Sequence, residues 1–265
     1  MILEKKQAQL QGQTRHWFQG GQGTALVLLP GFGGSNKTLL SLGKRLAERY
    51  CVFLPESPGF GEEAALPPAD YAFDRQIAAL QDLIALWGLE RFYLGGNSAG
   101  GQLACLYAAA YPNQVAGLVL LCPQGVQTPH FLPYAHKEAC PQNLQDWDAI
   151  QAKLYLHPPQ LGEEQKRQAL QRLQGRWEFL NQVRAVIRSQ PQHLLNQLLP
   201  RLKLPMLLLW GAQDGRIPTQ ISQEWVRLNP NIELFLLEHS AHLPQIEEPA
   251  QCCQRIEDWI SAQLG

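Results

Sequence analysis

The sequence predicts an α/β protein with a mostly parallel, doubly wound β-sheet and a helical insertion. Short runs of Val, Ile and Leu alternate along the chain with stretches in which apolar residues recur every three or four positions. Strands buried on both faces are apolar almost throughout, whereas a helix that covers a sheet is apolar on one side only. Their alternation is typical of a parallel sheet with helices on both faces.

The predicted strands are short apolar runs. Several of them are nearly continuous in Val, Ile and Leu, as strands buried on both faces should be. This composition places strands at residues 15–18, 25–29, 51–54, 91–94, 115–122, 206–210 and 232–237. Because helical patterns separate them, we expect the strands to pair mainly in parallel.

Helices are predicted where apolar residues form a single stripe. One stripe has its members at four- and three-residue steps: Phe73, Ile77, Leu80, Ile84 and Trp87. A segment rich in Ala and Leu predicts another helix over residues 98–110, which stops before Pro112 as helices do. A last helix is expected over residues 250–260.

The alternation stops between about residues 124 and 201, where no strand-like run appears and the composition turns to Gln, Leu and Arg. A further apolar stripe at helical spacing consists of Leu170, Leu173, Trp177, Leu180, Val183 and Ile187. We therefore predict a helical insertion that rests on the sheet.

The composition excludes several classes of protein. Of 265 residues, 45% are hydrophobic and 17% charged, so the chain can bury a substantial core. The net charge is -1 at pH 7 and neither end carries a long run of like charge, so we expect no binding to nucleic acid. No segment has the apolar length of a signal peptide or a membrane span, and we expect a soluble, cytoplasmic protein.

The six cysteines form no CxxC pair and no zinc-ligand spacing, so the sequence predicts no metal site. Cys51, Cys105 and Cys122 lie within apolar segments, where a thiol usually packs as a small hydrophobic side chain. This use of cysteine fits a reducing compartment.

The run RFYLGGNSAGG has the pattern of a strand, a sharp turn and a helix. At its centre, Gly96, Ser98 and Gly100 match the small-x-Ser-x-small nucleophile motif. Such a serine sits at a strained turn, and side chains two positions before or after it would collide with the following helix and the neighbouring strand. We predict that Ser98 is a nucleophile at the amino-terminal end of a helix, where the helix dipole favours negative charge.

A serine hydroxyl is a poor nucleophile at neutral pH and needs an oriented base. With this motif an acid and then a histidine follow along the chain. Asp214 comes just after the strand predicted at residues 206–210, on the side of a parallel sheet where ligands bind. The next strand leads into EHSAHLPQ, which offers His239 and His242. His239 sits at the strand end, and we predict that His242 is the base.

The glycine-rich loop LPGFGGSNKT, residues 29–38, has two interpretations. As a phosphate-binding loop it fails, because Asn36 stands where that motif requires glycine. Acyl transfer instead needs two backbone N–H groups near the developing oxyanion, one after the nucleophile and one from a loop after an early strand. We predict that Ala99 and Phe32 donate these N–H groups, since the glycines beside Phe32 let the backbone approach a substrate.

With these motifs the sequence resembles the α/β-hydrolase superfamily over nearly its whole length. The matching segments are LPGFGG at 29–34, PESPGFG at 55–61, GNSAGG at 96–101 and the turns that carry Asp214 and His242. Over residues 100–112 and 121–126 the chain is similar to monoacylglycerol lipases and small bacterial lipases. The resemblance implies a core of residues 1–125 and 201–265, with residues 126–200 forming a helical cap over the active site.

The chain departs from the pattern of that family in places. Pro30 stands where many relatives have a histidine that braces the oxyanion loop, so its presence bears on the rigidity of the loop. Ala241 precedes the predicted base where relatives usually have glycine, and Glu56 stands where they often have aspartate. None of these changes removes a predicted catalytic residue.

Our leading hypothesis is a cofactor-independent serine hydrolase of small-molecule carboxylic esters. Ser98 attacks the carbonyl, His242 acts as general base and then general acid, and Asp214 orients the imidazole. One alternative is hydrolysis of a carbon–carbon bond in ring-cleavage dienoates, although relatives with that activity usually have a Gly-Pro-rich oxyanion loop. Another is a binding protein that kept the fold and lost turnover. Haloalkane dehalogenases and epoxide hydrolases use an aspartate nucleophile, against which Ser98 argues.

The predicted cap supplies apolar side chains that suit an apolar acyl group. The candidate wall residues are Phe131, Leu132, Trp147, Leu154 and Tyr155. The same residues fit equally well as the core of the cap alone.

Overall fold

One β-sheet carries the fold in a computed structural model that describes residues 1–63, 65–134 and 139–264. Its strands are β1 (Glu4–Leu10), β2 (Gln13–Gly20), β3 (Ala25–Leu29), β4 (Cys51–Pro55), β5 (Phe92–Asn97), β6 (Val115–Leu121), β7 (Met206–Gly211) and β8 (Ile232–Leu237). In the described residues these eight strands lie in the order β1-β2-β4-β3-β5-β6-β7-β8. β2 pairs antiparallel with β1 and β4, and all other neighbours pair in parallel. The α/β class and the mostly parallel sheet predicted from the sequence are confirmed.

The central strands are apolar because both of their faces are covered. Every residue of β5 and β7 is buried. Along β3, Val27 and Leu29 belong to the core on one face of the sheet, whereas Leu26 and Leu28 belong to the core on the other. Side chains that alternate between two apolar cores require the near-continuous apolar runs that predicted these strands.

The first strand, β1, is absent from the sequence prediction. Its sequence EKKQAQL is exposed at most positions, and only Ala8 and Leu10 are partly buried. It lies at the edge of the sheet and pairs along its whole length with β2, from Glu4 opposite Gln19 to Leu10 opposite Gln13. An edge strand that is solvated at most positions has too weak an apolar pattern to reveal it.

The helices cover both faces of the sheet. They are α1 (Leu40–Leu46), α2 (Phe73–Trp87), α3 (Ala99–Ala110), α4 (Leu144–Leu154), α5 (Glu163–Arg188), α6 (Gln220–Leu228), α7 (Pro244–Glu247) and α8 (Pro249–Leu264). α2, α3 and α8 lie where the sequence predicted helices, with ends shifted by four residues or fewer. No helix in the described part of the chain combines the length and the apolar composition that a membrane span requires.

The segment between β6 and β7 carries α4 and α5. On α5, the residues of the predicted stripe face the protein: Leu170, Trp177, Leu180, Val183 and Ile187 are buried, and Leu173 is partly buried. α5 passes over the loop that follows β3, since the Arg184 guanidinium carbon lies 5.3 Å from the centre of the Phe32 ring. The helical character predicted for this segment therefore agrees with the structure.

Candidate active site

Ser98 lies in the sharp turn between β5, which ends at Asn97, and α3, which begins at Ala99. Its backbone angles, φ 54° and ψ −117°, fall in a region that residues with a side chain rarely occupy. The N–H of Ser98 donates to the carbonyl oxygen of Leu121 at 3.0 Å, and its own carbonyl accepts from the N–H of Gly101 at 3.1 Å. These bonds hold the strained turn between two buried strands and a helix.

The glycines on either side of Ser98 are required by close backbone contacts. A Cβ atom at Gly96 would lie 2.6 Å from the carbonyl oxygen of Leu29 on β3. One at Gly100 would lie 2.5 Å from the same oxygen and 2.5 Å from the carbonyl oxygen of Pro30. The collision with the neighbouring strand that the sequence analysis expected at both positions is confirmed.

Asp214 and His242 meet in a buried hydrogen bond. Asp214 Oδ2 lies 2.8 Å from His242 Nδ1, and the two side chains are 0% and 5% exposed, respectively. Asp214 Oδ1 accepts from the backbone N–H groups of Arg216 and Ile217, each at 2.8 Å. The carboxylate is thus held on both oxygens, and Nε2 is the ring nitrogen of His242 left for proton transfer.

Hydrogen bonds hold both backbone polar groups of His242. Its carbonyl oxygen accepts from Asn97 Nδ2 at 3.0 Å, and its N–H donates to the carbonyl oxygen of Leu154, at the end of α4, at 3.1 Å. His239, the alternative base, is exposed, and its N–H bonds to Glu248 Oε2 at 3.1 Å. The structure therefore brings His242 to Asp214. Asn97, which ties this loop to the serine turn, had no role in the sequence analysis.

A cavity of about 360 Å³ is lined by both Ser98 and His242. Of the wall residues predicted from the sequence, the cavity is lined by Phe131, Trp147, Leu154 and Tyr155.

Leu132 is the predicted wall residue that the structure does not bring to this cavity. It is 47% exposed and lies outside the cavity lining. Phe131 pairs with Thr128 in an antiparallel bridge. Consecutive residues of extended backbone point to opposite sides, so the inward Phe131 leaves Leu132 facing solvent. We therefore drop Leu132 from the candidate substrate-binding residues.

Helix α5 contributes side chains to the cavity that the sequence analysis assigned only to a helical stripe. Leu173, Trp177 and Leu180 line it, together with the charged residue Arg184. The stripe was the available signal, but a stripe alone does not distinguish residues that face a core from residues that face a cavity.

The predicted oxyanion donors, Phe32 and Ala99, flank the serine turn. Phe32 lines the main cavity, and both residues line a smaller pocket of about 20 Å³ beside it. Ala99 is the first residue of α3, and the first N–H groups of a helix have no acceptor within the helix. Lys37, in the loop that fails as a phosphate-binding motif, pairs with Glu62 at 2.9 Å and lies outside the cavity lining. The roles of Phe32 and Ala99 stay predictions.

Cys122, which directly follows β6, is a buried residue beside the Asp214–His242 pair. Its Sγ accepts from the N–H of Gly211 at 3.3 Å and donates to the carbonyl oxygen of Ala241 at 3.6 Å. Among the residues that the structure describes, Cys122, Asp214 and His242 form the one group whose ligand atoms, within 4.8 Å of one another, suit a metal ion. Burial, and then the charge of Asp214, raises the pKa of the Cys122 thiol well above its usual value. In the described residues, the Sγ of Cys122 and the Nδ1 of His242 both take part in hydrogen bonds within the protein. A metal-independent site stays a prediction.

Known proteins are similar to this chain in sequence and in fold. A family model described as the alpha/beta hydrolase family matches residues 26–255. Lipase 1 of Psychrobacter immobilis is 27% identical over 232 residues, which cover 85% of this chain and 73% of the lipase. The 2-hydroxy-6-oxo-6-phenylhexa-2,4-dienoate hydrolase of Comamonas testosteroni is 27% identical over 265 residues, covering 88% of this chain and 86% of that enzyme. The crystal structure of a membrane phospholipase A, a bacterial virulence factor, has a TM-score of 0.88 at 26% identity, covering 99% of this chain and 87% of that one.

Proposed function

The chain belongs to the alpha/beta hydrolase family, and from that premise we propose that it is a serine hydrolase that cleaves carboxylic esters through an acyl-enzyme. The observation that carries the proposal is the strained Ser98 in one cavity with His242, whose Nδ1 lies 2.8 Å from Asp214 Oδ2. Acyl transfer by serine needs a nucleophile, a base and a group that orients the base. Relatives that are lipases support an ester as substrate.

The proposed reaction has two halves. The Ser98 hydroxyl attacks the ester carbonyl while His242 Nε2 takes its proton, and Asp214 stabilises the imidazolium that forms. The N–H groups of Phe32 and Ala99 stabilise the oxyanion. His242 then gives its proton to the leaving alkoxide, which departs as the alcohol. Water, activated by the same imidazole, hydrolyses the acyl-enzyme and releases the carboxylic acid.

The size of the cavity sets the proposed substrate class. An engineered cavity of about 150 Å³ holds one benzene molecule, so a cavity of about 360 Å³ accommodates about 2.4 times as many atoms, on the order of fourteen non-hydrogen atoms. Residues 126–200 are the proposed cap over a core of residues 1–125 and 201–265, and apolar residues of α4 and α5 wall the cavity. We propose monoesters of medium-length apolar acids.

The cysteines support the proposed location. All six are free thiols, including the partly buried Cys51 and Cys140. Free thiols are usual in a reducing compartment, so the cytoplasm remains our proposal.

A second candidate function is hydrolysis of a carbon–carbon bond. The Comamonas testosteroni relative is named as a dienoate hydrolase and matches 88% of this chain. Its substrate class would enter the same cavity and use the same nucleophile. Turnover of a 2-hydroxy-6-oxo-dienoate, measured beside that of an ester, separates the two activities.

The test is a panel of ethyl esters from acetate to palmitate, with hydrolysis followed by acid release. We expect kcat/KM to rise to about the octanoate or decanoate ester and then to fall, because longer chains exceed the cavity. Ser98→Ala should lower kcat by at least about 1,000-fold. A Ser98→Ala variant as active as wild type, or a wild type that turns over the dienoate and none of the esters, would overturn the proposal.

A further inference from the structure

A buried carboxylate lies directly beneath the loop of residues 31–36, here called the oxyanion loop. Glu56 follows β4 and is 3% exposed. Its Oε1 accepts from the backbone N–H of Asn36 at 2.8 Å, and its Oε2 accepts from Ser35 Oγ at 3.0 Å. The N–H of Glu56 donates to the carbonyl oxygen of His16 on β2 at 2.9 Å. One residue thus joins the sheet to two successive residues of the oxyanion loop.

The surroundings of Glu56 leave its carboxylate little freedom. A Cβ atom at Gly61 would lie 1.9 Å from Oε2, so the turn after β4 closes around the carboxylate. The side chain of Asn36 donates to the carbonyl oxygen of Leu54 at 3.0 Å and anchors the same end of the loop a second time. Burial raises the pKa of Glu56, and the bonds from Asn36 and Ser35 oppose that rise. Burying a carboxylate is unfavourable unless hydrogen-bond donors such as these contact it.

We propose that Glu56 is a positioning residue for ester hydrolysis, which holds the oxyanion loop so that the N–H of Phe32 points at the developing oxyanion. This inference rests on the proposed function. The loop contains Gly31, Gly33 and Gly34, and glycine backbone is easily displaced unless something outside it fixes the conformation. The bonds to Ser35 and Asn36 fix it at its carboxyl end, three and four residues after Phe32.

The geometry predicts a defect in the transition state rather than in substrate binding. A displacement of about 1 Å at a catalytic group can cost about 100-fold in rate. Phe32 and the neighbouring glycines line part of the cavity, but its apolar walls from α4 and α5 belong to other segments. Most contacts with the ground-state ester are therefore unchanged. Loss of an interaction that is made only in the transition state lowers kcat and leaves KM unchanged.

The test is Glu56→Gln, in which an amide NH₂ group replaces one carboxylate oxygen. That NH₂ group then faces a hydrogen-bond donor of the loop, either Ser35 Oγ or the N–H of Asn36. We expect kcat to fall between about tenfold and 100-fold with KM close to wild type. The inhibition constant of an alkyl boronic acid, which forms a tetrahedral adduct with a catalytic serine, should rise by the same factor as kcat falls. Thermal unfolding is measured for each variant to show that it folds.

Glu63→Gln is the matched control. The Glu63 side chain is 3% exposed in the same segment after β4, but its carboxylate accepts from Arg15 Nε at 3.1 Å and from the N–H of His16 at 3.2 Å, outside the oxyanion loop. We expect kcat close to wild type in this variant. Ser35→Ala serves if Glu56→Gln does not fold. It removes one of the two bonds to Glu56, together with the bond that Ser35 Oγ accepts from the N–H of Lys37 at 3.3 Å, and should show a smaller fall in kcat at constant KM.

Three results would overturn the inference: wild-type kcat in the folded Glu56→Gln or in Ser35→Ala, an equal fall in Glu63→Gln, or a rise in KM without a fall in kcat. Ser98→Ala separates this failure from that of the proposed function. If Ser98→Ala is inactive while Glu56→Gln matches wild type, the positioning role alone is wrong. If Ser98→Ala stays active, the proposed function is wrong, and this inference, which rests on it, is wrong as well.

Discussion

Ser98 occupies backbone angles, φ 54° and ψ −117°, that only glycine adopts without strain. Holding another residue in such a region costs about 1–3 kcal/mol, and the surrounding structure must enforce it. Here the bond from the N–H of Ser98 to Leu121 and the close contacts of Gly96 and Gly100 with β3 do so. The strained turn directs the Ser98 hydroxyl away from the strand and into the cavity.

Ser98→Gly should therefore be more stable than Ser98→Ala, although both should be inactive. Glycine relieves the strain, and this gain exceeds the entropy that glycine adds to the unfolded chain, so we expect a difference of about 1 kcal/mol in the free energy of unfolding. Urea unfolding of the two variants measures it. Equal stabilities, or a less stable glycine variant, would show that the turn carries no strain.

At the scale of single residues, the sequence predicted what short motifs encode. Ser98 was predicted from its flanking glycines, and Asp214 and His242 from their positions after strands; the structure joins the last two by a hydrogen bond. The sequence did not predict the contacts of Asn97 and Cys122 with the His242 loop, because these contacts depend on strands that meet only in the folded sheet. The catalytic roles themselves stay predictions.

At the scale of elements, α5 shows what periodicity reveals and what it leaves out. Its apolar stripe predicted a helix, and the buried Trp177 and Leu180 confirm the side that faces the protein. The same stripe did not show that both residues line the cavity. β1 was missed altogether, since its polar sequence owes its extended form to pairing with β2 rather than to burial.

Gly175 lies within α5, is exposed, and has nothing within 4 Å of the position that a Cβ atom would take. Gly175→Ala should raise the free energy of unfolding by about 0.5–1 kcal/mol, because alanine is the better helix former. We expect kcat and KM for the ester to remain at wild-type values. A fall in activity with a gain in stability would instead make Gly175 a hinge that catalysis needs.

At the scale of the whole molecule, the topology explains how distant residues meet. β5, β6, β7 and β8 are neighbours in the sheet and run in parallel, so their carboxyl ends lie along one edge. Ser98 follows β5, Asp214 follows β7 and His242 follows β8. Ligands of open α/β sheets bind at this edge. The order of these strands was not encoded in any local pattern, whereas their parallel direction followed from the helices between them.

The central claim, that Ser98 is the nucleophile that His242 activates, is tested most directly by labelling with a fluorophosphonate and locating the adduct by peptide mass spectrometry. We predict an adduct on Ser98 in wild type, none in Ser98→Ala, and labelling slowed by at least about 1,000-fold in His242→Ala. An adduct on another residue, or equal labelling of wild type and Ser98→Ala, would contradict the claim.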